Sequence, residues 1–599
     1  MSQSQENVWQ ELTELADWVI KAQKQILGTM THSLDESAAP IDTSQILKAF
    51  AEDYLRNPFK WQSMQQNWYS EQLALWTKMT GDPSSSLEVP TLDRRFQAPE
   101  WQEPYFLWLS QSYLINSRFL GSLTQTADLP QQEKRKADFL LRQWIEAASP
   151  ANFGWSNPEA LKLAQQTHGE SLVKGLENLR KDLPKGMVSM IDENAFEVGR
   201  NIAITPGAVV FENELIQLIQ YSPMTPTVHQ RPLLMVPPFI NKFYILDLQP
   251  YNSLVRFAVE QGHTVFMVSW RNADLSIANA TWDDYVNLGV IEAIKVIRRI
   301  TKVKQIDGLG FCVGGTLMAT AQAVLLAQRK KYLASLTLMA TMLDFSDTGD
   351  LSIFIDEAYV KLREKRASES SLVKARELSA TFASLRPTDL IWNYVVNNYL
   401  KGQTPKPFDL LFWNNDGTNI PSNMFAWYVR HTYLENKLRE PNELKVCGKS
   451  LDLSKITIPT YIVATSEDHI VPWKTAFNST QILKGPIRFT LSASGHIAGI
   501  INPASKNQRQ YWTDGPLSSD AQSWLAGAKE CSGSWWNDWN QWMEQQGQKK
   551  VSARLTLGSP EYPVIEPAPG RYCKVLAEHL ISTDSNNHEM NQSNIQKET

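Results

Sequence analysis

Gln305-Ile306-Asp307-Gly308-Leu309-Gly310-Phe311-Cys312-Val313-Gly314-Gly315-Thr316 is the stretch that decides the fold. Residues 306–311 form a short apolar run of strand length, and the apolar segment that follows, to about residue 328, has helix length. Between them, Gly310-Phe311-Cys312-Val313-Gly314 keeps the G-x-S-x-G spacing of a nucleophile elbow, with cysteine where serine usually stands. The glycines let the backbone pass close to itself in a sharp strand-to-helix turn and hold Cys312 at the exposed apex. There the thiol meets the positive end of the helix behind it, which favours thiolate. Residues 308–327 are apolar enough to be mistaken for a membrane span. Four glycines with Thr316, Thr320 and Gln322 predict a strand, a tight turn and a buried helix instead.

Working outward, apolar runs recur at 233–236, 264–270, 335–341, 459–465 and 487–493, with helical patterns such as 283–300 and 313–328 between several of them. Strands buried on both faces and joined by crossover helices make an α/β domain with a mostly parallel sheet. An elbow of this kind takes its carboxylate and then its histidine from later loops of the chain. Asp468 follows the run 459–465, and His496 follows 487–493, so both fall beyond strands at the same sheet edge as Cys312. Glu467 and His469 are the local competitors, and Asp247 is a supporting candidate near the elbow. The oxyanion hole needs the amide after the nucleophile, Val313 N–H, and a second from the loop after an earlier strand. That loop is Pro237-Pro238-Phe239-Ile240-Asn241-Lys242, with Ile240 as the expected donor and Phe239 or Asn241 as alternatives.

Over a hundred residues separate the runs at 335–341 and 459–465, too many for a plain connection. They predict an inserted cap at about 343–440, with helices near 370–382 and 390–400, over the strand ends. Phe354, Tyr359, Trp392, Tyr394, Tyr399, Phe412 and Trp413 are its candidate lid aromatics. Residues 1–190 read as helical throughout. Trp61, Met64, Trp68, Gln72, Leu75, Trp76 and Met79 form one stripe, a face for packing or for attachment to a partner or an apolar particle. The catalytic domain is expected at 191–580. The polar tail 581–599 is expected to be disordered.

The 599 residues exclude a disulfide-stapled miniprotein, and 58 basic against 63 acidic residues leave a net charge of −5, so nucleic acid is not an expected partner. Four dispersed cysteines, with no Cys-x-x-Cys pair and no signal peptide, predict free thiols in a reducing cytoplasm. The nine histidines lack zinc spacing, so no metal is expected.

The chain resembles the polyhydroxyalkanoate synthases. The matching pieces are Gly310-Phe-Cys312-Val-Gly-Gly315, the run from Pro237 to Asp247, Val268-Ser-Trp-Arg271, the run from Glu467 to Trp473, and Ser494-Gly-His496 onward to Pro503. Ser149-Pro-Ala-Asn-Phe153 and Gly533-Ser-Trp-Trp536 extend the likeness over roughly residues 94–574. The resemblance implies an α/β-hydrolase fold with a cap, preceded by an all-helical domain. It implies an enzyme that polymerises (R)-3-hydroxyacyl-CoA into a storage polyester, releases CoA and stays on the polymer granule among its coat proteins. It further implies a homodimer of the class that needs no second type of subunit, a cytoplasmic location, no transmembrane segment and no cofactor. Cys312 would be the nucleophile and His496 its base, with Asp468 either the base toward the 3-hydroxyl or the group that orients His496. The rival readings are a cysteine hydrolase of the same fold, such as an intracellular polyester depolymerase or lactone hydrolase, and a non-catalytic granule scaffold. Trp535, Trp536, Trp539 and Trp542, at helical spacing, could seal the α/β domain or touch polymer.

Overall fold

The computed structural model describes residues 48–577, apart from 49, 51, 54, 82–92, 186, 519 and 548. The expected disordered tail, 581–599, lies outside the described residues. The chain divides into two compact units: residues up to Asp192 together with Ala380–Lys406, and Glu193–Ser379 together with Pro407 onward.

The first unit is helical. It is built on α1 (Pro58–Thr80), α2 (Pro104–Thr126), α3 (Gln131–Ala147), α4 (Pro158–Gln166) and α5 (Glu170–Asp182). Asn157 caps α4 by accepting from Ala160 N, with Pro158 in its first turn. The tryptophan stripe of α1 packs on α2, where Trp68 Nε1 donates to Asn116 Oδ1 at 2.8 Å and its ring sits 5.7 Å from that of Phe119. Trp76, expected in that stripe, is instead exposed, as are Tyr69 and Leu73.

Among the described residues, the second unit is built on an eleven-stranded sheet. In chain order its strands are β1 (Gly207–Glu212), β2 (Ile216–Tyr221), β3 (Leu233–Val236), β4 (Val265–Trp270), β5 (Ile306–Phe311), β6 (Leu333–Met339), β7 (Thr460–Thr465), β8 (Ile487–Ser492), β9 (Gln510–Thr513), β10 (Lys529–Ser532) and β11 (Glu566–Pro567). Across the sheet they run β10-β9-β8-β7-β6-β5-β3-β4-β2-β1-β11. The stretch from β8 to β4 is parallel, and the pairings beyond it are antiparallel. All the strands anticipated from apolar runs form. β1 and β2 are not among those anticipated, and β2 carries the weaker apolar signal, because Gln217 and Gln220 sit buried in it. Gln217 Nε2 donates to Glu212 Oε2 at 2.7 Å, which is how an amide can be tolerated there.

Behind β5 runs α6 (Val313–Ala327), buried from Val313 to Leu325, so the stretch that imitates a membrane span is a strand, a turn and an interior helix. No helix among the described residues is long and apolar enough to cross a membrane. The helix α9 (Trp535–Gln545) buries Trp535, Trp536, Trp539 and Trp542 against the sheet. These four rings seal the α/β domain, because each is removed from solvent, and polymer contact is excluded for them. The seven aromatics expected to form the lid divide between the units. Trp392, Tyr394 and Tyr399 belong to the helical one, where Tyr399 Oη donates to Asp182 Oδ2 at 2.8 Å.

Two glycines make the elbow sterically feasible. A Cβ on Gly310 would lie 2.3 Å from Gly315 Cα, and one on Gly314 would lie 2.3 Å from Val236 O and 2.6 Å from Pro237 O. Backbone cannot yield as a side-chain tip can, so Gly310→Ala is expected to destabilise the protein by about 1–3 kcal/mol. Urea unfolding followed by tryptophan fluorescence measures this, and a wild-type midpoint would contradict the packing argument.

Candidate active site

Cys312 stands between β5 and α6 with φ 53° and ψ −128°, a conformation a non-glycine residue adopts only when its surroundings impose it. Three contacts impose it. Cys312 N donates to Met339 O at 2.8 Å, Gly315 N donates to Cys312 O at 2.9 Å, and Thr341 Oγ1 donates to Cys312 O at 3.2 Å. The cysteine is half-buried, so its sulfur stays approachable.

Asp468 and His496 come together as expected. His496 Nδ1 lies 2.6 Å from Asp468 Oδ2, and the side chains are 7% and 0% exposed. Asp468, not Glu467, accepts this bond, and His496, not His469, donates it. The carboxylate is fully engaged: Oδ1 accepts from Ile470 N at 2.9 Å and Val471 N at 2.8 Å, while Oδ2 also accepts from Thr465 Oγ1 at 3.0 Å. Burial pushes the Asp468 pKa up, but His496 and those amides outweigh it and hold the carboxyl below its usual 3.8. Burial likewise works against the imidazolium of His496. The charge of Asp468 and of Cys312, with hydrogen bonds to both, nonetheless holds its pKa well above 6.5. The ring is thus bound to the carboxylate through Nδ1 and has Cys312 among the neighbours that raise its pKa, and Phe311 stacks on it at 5.5 Å. The His496 loop is itself anchored by α9, since Trp535 Nε1 donates to Gly499 O at 3.1 Å and Trp536 Nε1 to Ile500 O at 2.9 Å.

The loop after β3 runs against the elbow, as the close approach of Val236 O and Pro237 O to Gly314 records. Val313 N–H opens α6, and Ile240 lies on that loop. Asp247 is held elsewhere. Its carboxylate accepts from Thr205 Oγ1 at 2.5 Å and Ser253 Oγ at 2.6 Å, neither of them part of the triad, and burial pushes its pKa up.

Sequence reasoning missed the aromatic wall beside the sulfur. Tyr428 and Tyr433 come from α8 (Ser422–Tyr428) and the π-helical turn after it, Val429–Leu434. Burial raises both phenol pKa values, and Cys312 is among the neighbours that raise them further. Their rings lie 5.6 Å apart, with Trp282 stacked 5.2 Å from Tyr428 and Phe345 5.1 Å from Tyr433. Nothing in their spacing announces them, because they reach the site from a segment more than a hundred residues away in the chain. Among the described residues no group of three or more His, Cys, Asp or Glu is arranged to hold a metal ion.

Fold and site together define the class: an α/β-hydrolase-fold enzyme with cysteine at the elbow apex. The family model described as the alpha/beta hydrolase fold matches residues 232–503, and the model of the poly-beta-hydroxybutyrate polymerase (PhaC) N-terminus matches residues 92–258. Among curated proteins, the chain is 51% identical to the poly(3-hydroxyalkanoate) polymerase subunit PhaC of Cupriavidus necator, over 86% of this chain and 88% of that one. It is 38% identical to the protein of the same name from Rhizobium meliloti, over 91% and 90%. A solved hydrolase from Pseudomonas aeruginosa is 13% identical, covering 49% of this chain and 92% of its own, with a TM-score of 0.29. The chain belongs to the poly(3-hydroxyalkanoate) polymerases, an acyltransferase family that makes polyester.

The raised His496 and lowered Asp468 pKa values fix the sign of a pH effect. Their ion pair persists at neutral pH, weakening only as pH falls through the depressed carboxyl value or rises through the elevated imidazole value. Asp468→Asn removes the first group that raises the imidazole while leaving its burial, so the His496 titration is expected to move to lower pH. NMR of ring-labelled histidine reads it, and an unmoved titration would refute the assignment.

Proposed function

We propose that the chain polymerises (R)-3-hydroxyacyl-CoA, 3-hydroxybutyryl-CoA and its near homologues, with release of CoA, while the growing chain is held on Cys312. The observation that carries this reading is the Nδ1–Oδ2 bond of 2.6 Å between His496 and Asp468 beside the elbow sulfur. In the first step the Cys312 sulfur attacks the thioester carbonyl as a thiolate whose proton rests on His496. The carbonyl bond to the CoA sulfur breaks, and the imidazolium returns the proton to that leaving thiolate. Val313 N–H and the Ile240 amide hold the transient oxyanion. One thioester replaces another, so the acyl group stays activated. In the second step the 3-hydroxyl of another unit loses its proton to His496, its oxygen bonds to the acyl carbon, and the carbon–sulfur bond to Cys312 breaks.

Asp468 orients His496 in this scheme and is not itself the base, because both of its oxygens already accept two hydrogen bonds each. The aromatic wall of Trp282, Phe345, Tyr428 and Tyr433 favours transfer to an alcohol over hydrolysis by keeping water from the thioester. No resident cofactor takes part. The product is insoluble, and the exposed Tyr69, Leu73 and Trp76 of α1 offer an apolar face suited to a polymer particle. The family likeness supports a homodimer working at that particle in the cytoplasm.

Incubation with (R)-3-hydroxybutyryl-CoA, followed by thiol titration, is expected to release CoA while polymer precipitates; CoA release with only soluble monomer acid would favour the hydrolase instead. Cys312→Ser is expected to lower turnover by orders of magnitude, since a hydroxyl ionises far less readily and its ester discards the thioester activation. Full polymer formation by Cys312→Ala would reduce the chain to a scaffold.

A further inference from the structure

The loop that carries the second oxyanion amide is held by its carbonyl groups. Pro237 O accepts from Trp270 Nε1 at 3.0 Å, Phe239 O from Thr418 Oγ1, Ile240 O from Thr418 N at 2.9 Å, and Lys242 O from Trp413 Nε1 at 2.7 Å. In a trans peptide the N–H points opposite to the C=O. Binding Phe239 O to Thr418 therefore turns the Ile240 N–H away from the 413–418 segment.

Lys242 ends this loop, and its side chain is 1% exposed. Its ammonium reaches three acceptors: Val575 O at 2.6 Å, Cys573 O at 3.0 Å and Asp416 Oδ1 at 3.3 Å. Asp416 in turn accepts from Tyr244 Oη at 2.8 Å. The chain near its described end is pinned twice more, with Asn272 Nδ2 donating to Val575 O at 3.0 Å and Asn419 Nδ2 to Ala577 O at 3.2 Å. Residues 573–577 thus form a strap, tied both to the oxyanion loop and to the segment that holds that loop's carbonyls. A buried ion pair adds little net stability over apolar side chains of the same volume. An ammonium whose three donors are met by two carbonyls of the strap and by Asp416 does fix the geometry of those two segments about Lys242.

We propose that Lys242 is a positioning residue: by binding the strap 573–577 and Asp416 it sets the direction of the second oxyanion amide. The proposal rests on the acyl-transfer reading above, in which that amide receives negative charge.

Two reactions of the full-length enzyme separate positioning from general damage. Acylation by (R)-3-hydroxybutyryl-CoA passes through an oxyanion, whereas alkylation of Cys312 by iodoacetamide displaces iodide at a saturated carbon and forms none. Lys242→Met is expected to lower kcat for CoA release about 10- to 100-fold with KM within about threefold of wild type. Its alkylation rate at Cys312, read by peptide mass spectrometry, should stay within about twofold of wild type. Unchanged kcat in that variant overturns the proposal. If alkylation falls as well, the elbow has been disturbed, and Asn272→Ala, which loosens Val575 while keeping the ammonium, decides the matter: a lowered kcat with normal alkylation supports the strap, and a wild-type kcat overturns it. A wild-type enzyme that releases no CoA would show that the acyl-transfer reading has failed, an outcome distinct from an active wild type matched by Lys242→Met.

Discussion

A cysteine held at φ 53° and ψ −128° is a local strain that the rest of the second unit exists to maintain. The turn can close only because Gly310 and Gly315 touch where side chains would collide, and because Gly314 lets the end of β3 pass against the start of α6. The strain persists because β5 is buried between β3 and β6, and because Met339 and Thr341 bind the Cys312 backbone. Relaxing it would mean breaking sheet contacts around one of the most buried strands in the molecule. The sulfur is thereby presented to its partners without any rearrangement at the moment of reaction.

The partners are fixed by equally indirect means. The imidazole is aimed by a carboxylate with no spare acceptor, and the loop bearing it is tied down by two indole N–H groups from α9. Those tryptophans illustrate an ambiguity that composition cannot resolve. Helical spacing is the same for a ring facing polymer and for a ring facing the sheet, and only burial of all four shows which applies.

The aromatic neighbours of the sulfur and the brace on the 237–242 loop both come from segments distant in the chain. Tyr428 and Tyr433 stand beside the sulfur with Phe345 packed on both, while Trp413 and Thr418 hold carbonyls of the 237–242 loop. An insertion between β6 and β7 thus supplies both the wall beside the nucleophile and the brace behind the oxyanion loop. In the proposed acyl transfer a thioester awaits an alcohol, and the two features are coupled: excluding solvent strengthens each hydrogen bond made to the developing charge.

The sequence alone determined the parallel strands, the elbow, and the order of Cys312, Asp468 and His496. Each of these is written in local pattern: an apolar run bounded by glycines, and polar residues placed just past strand ends. It did not reveal β1 or β2, in the second of which buried glutamines imitate exposed positions, nor the separation of Asp247 from the triad. Only the tertiary structure decided between Glu467 and Asp468, assigned Trp392, Tyr394 and Tyr399 to the helical unit, and brought Lys242 to residues 573–577. Those outcomes depend on contacts between residues far apart in the chain, and a hydrogen bond across three hundred residues leaves no trace in the spacing of either partner.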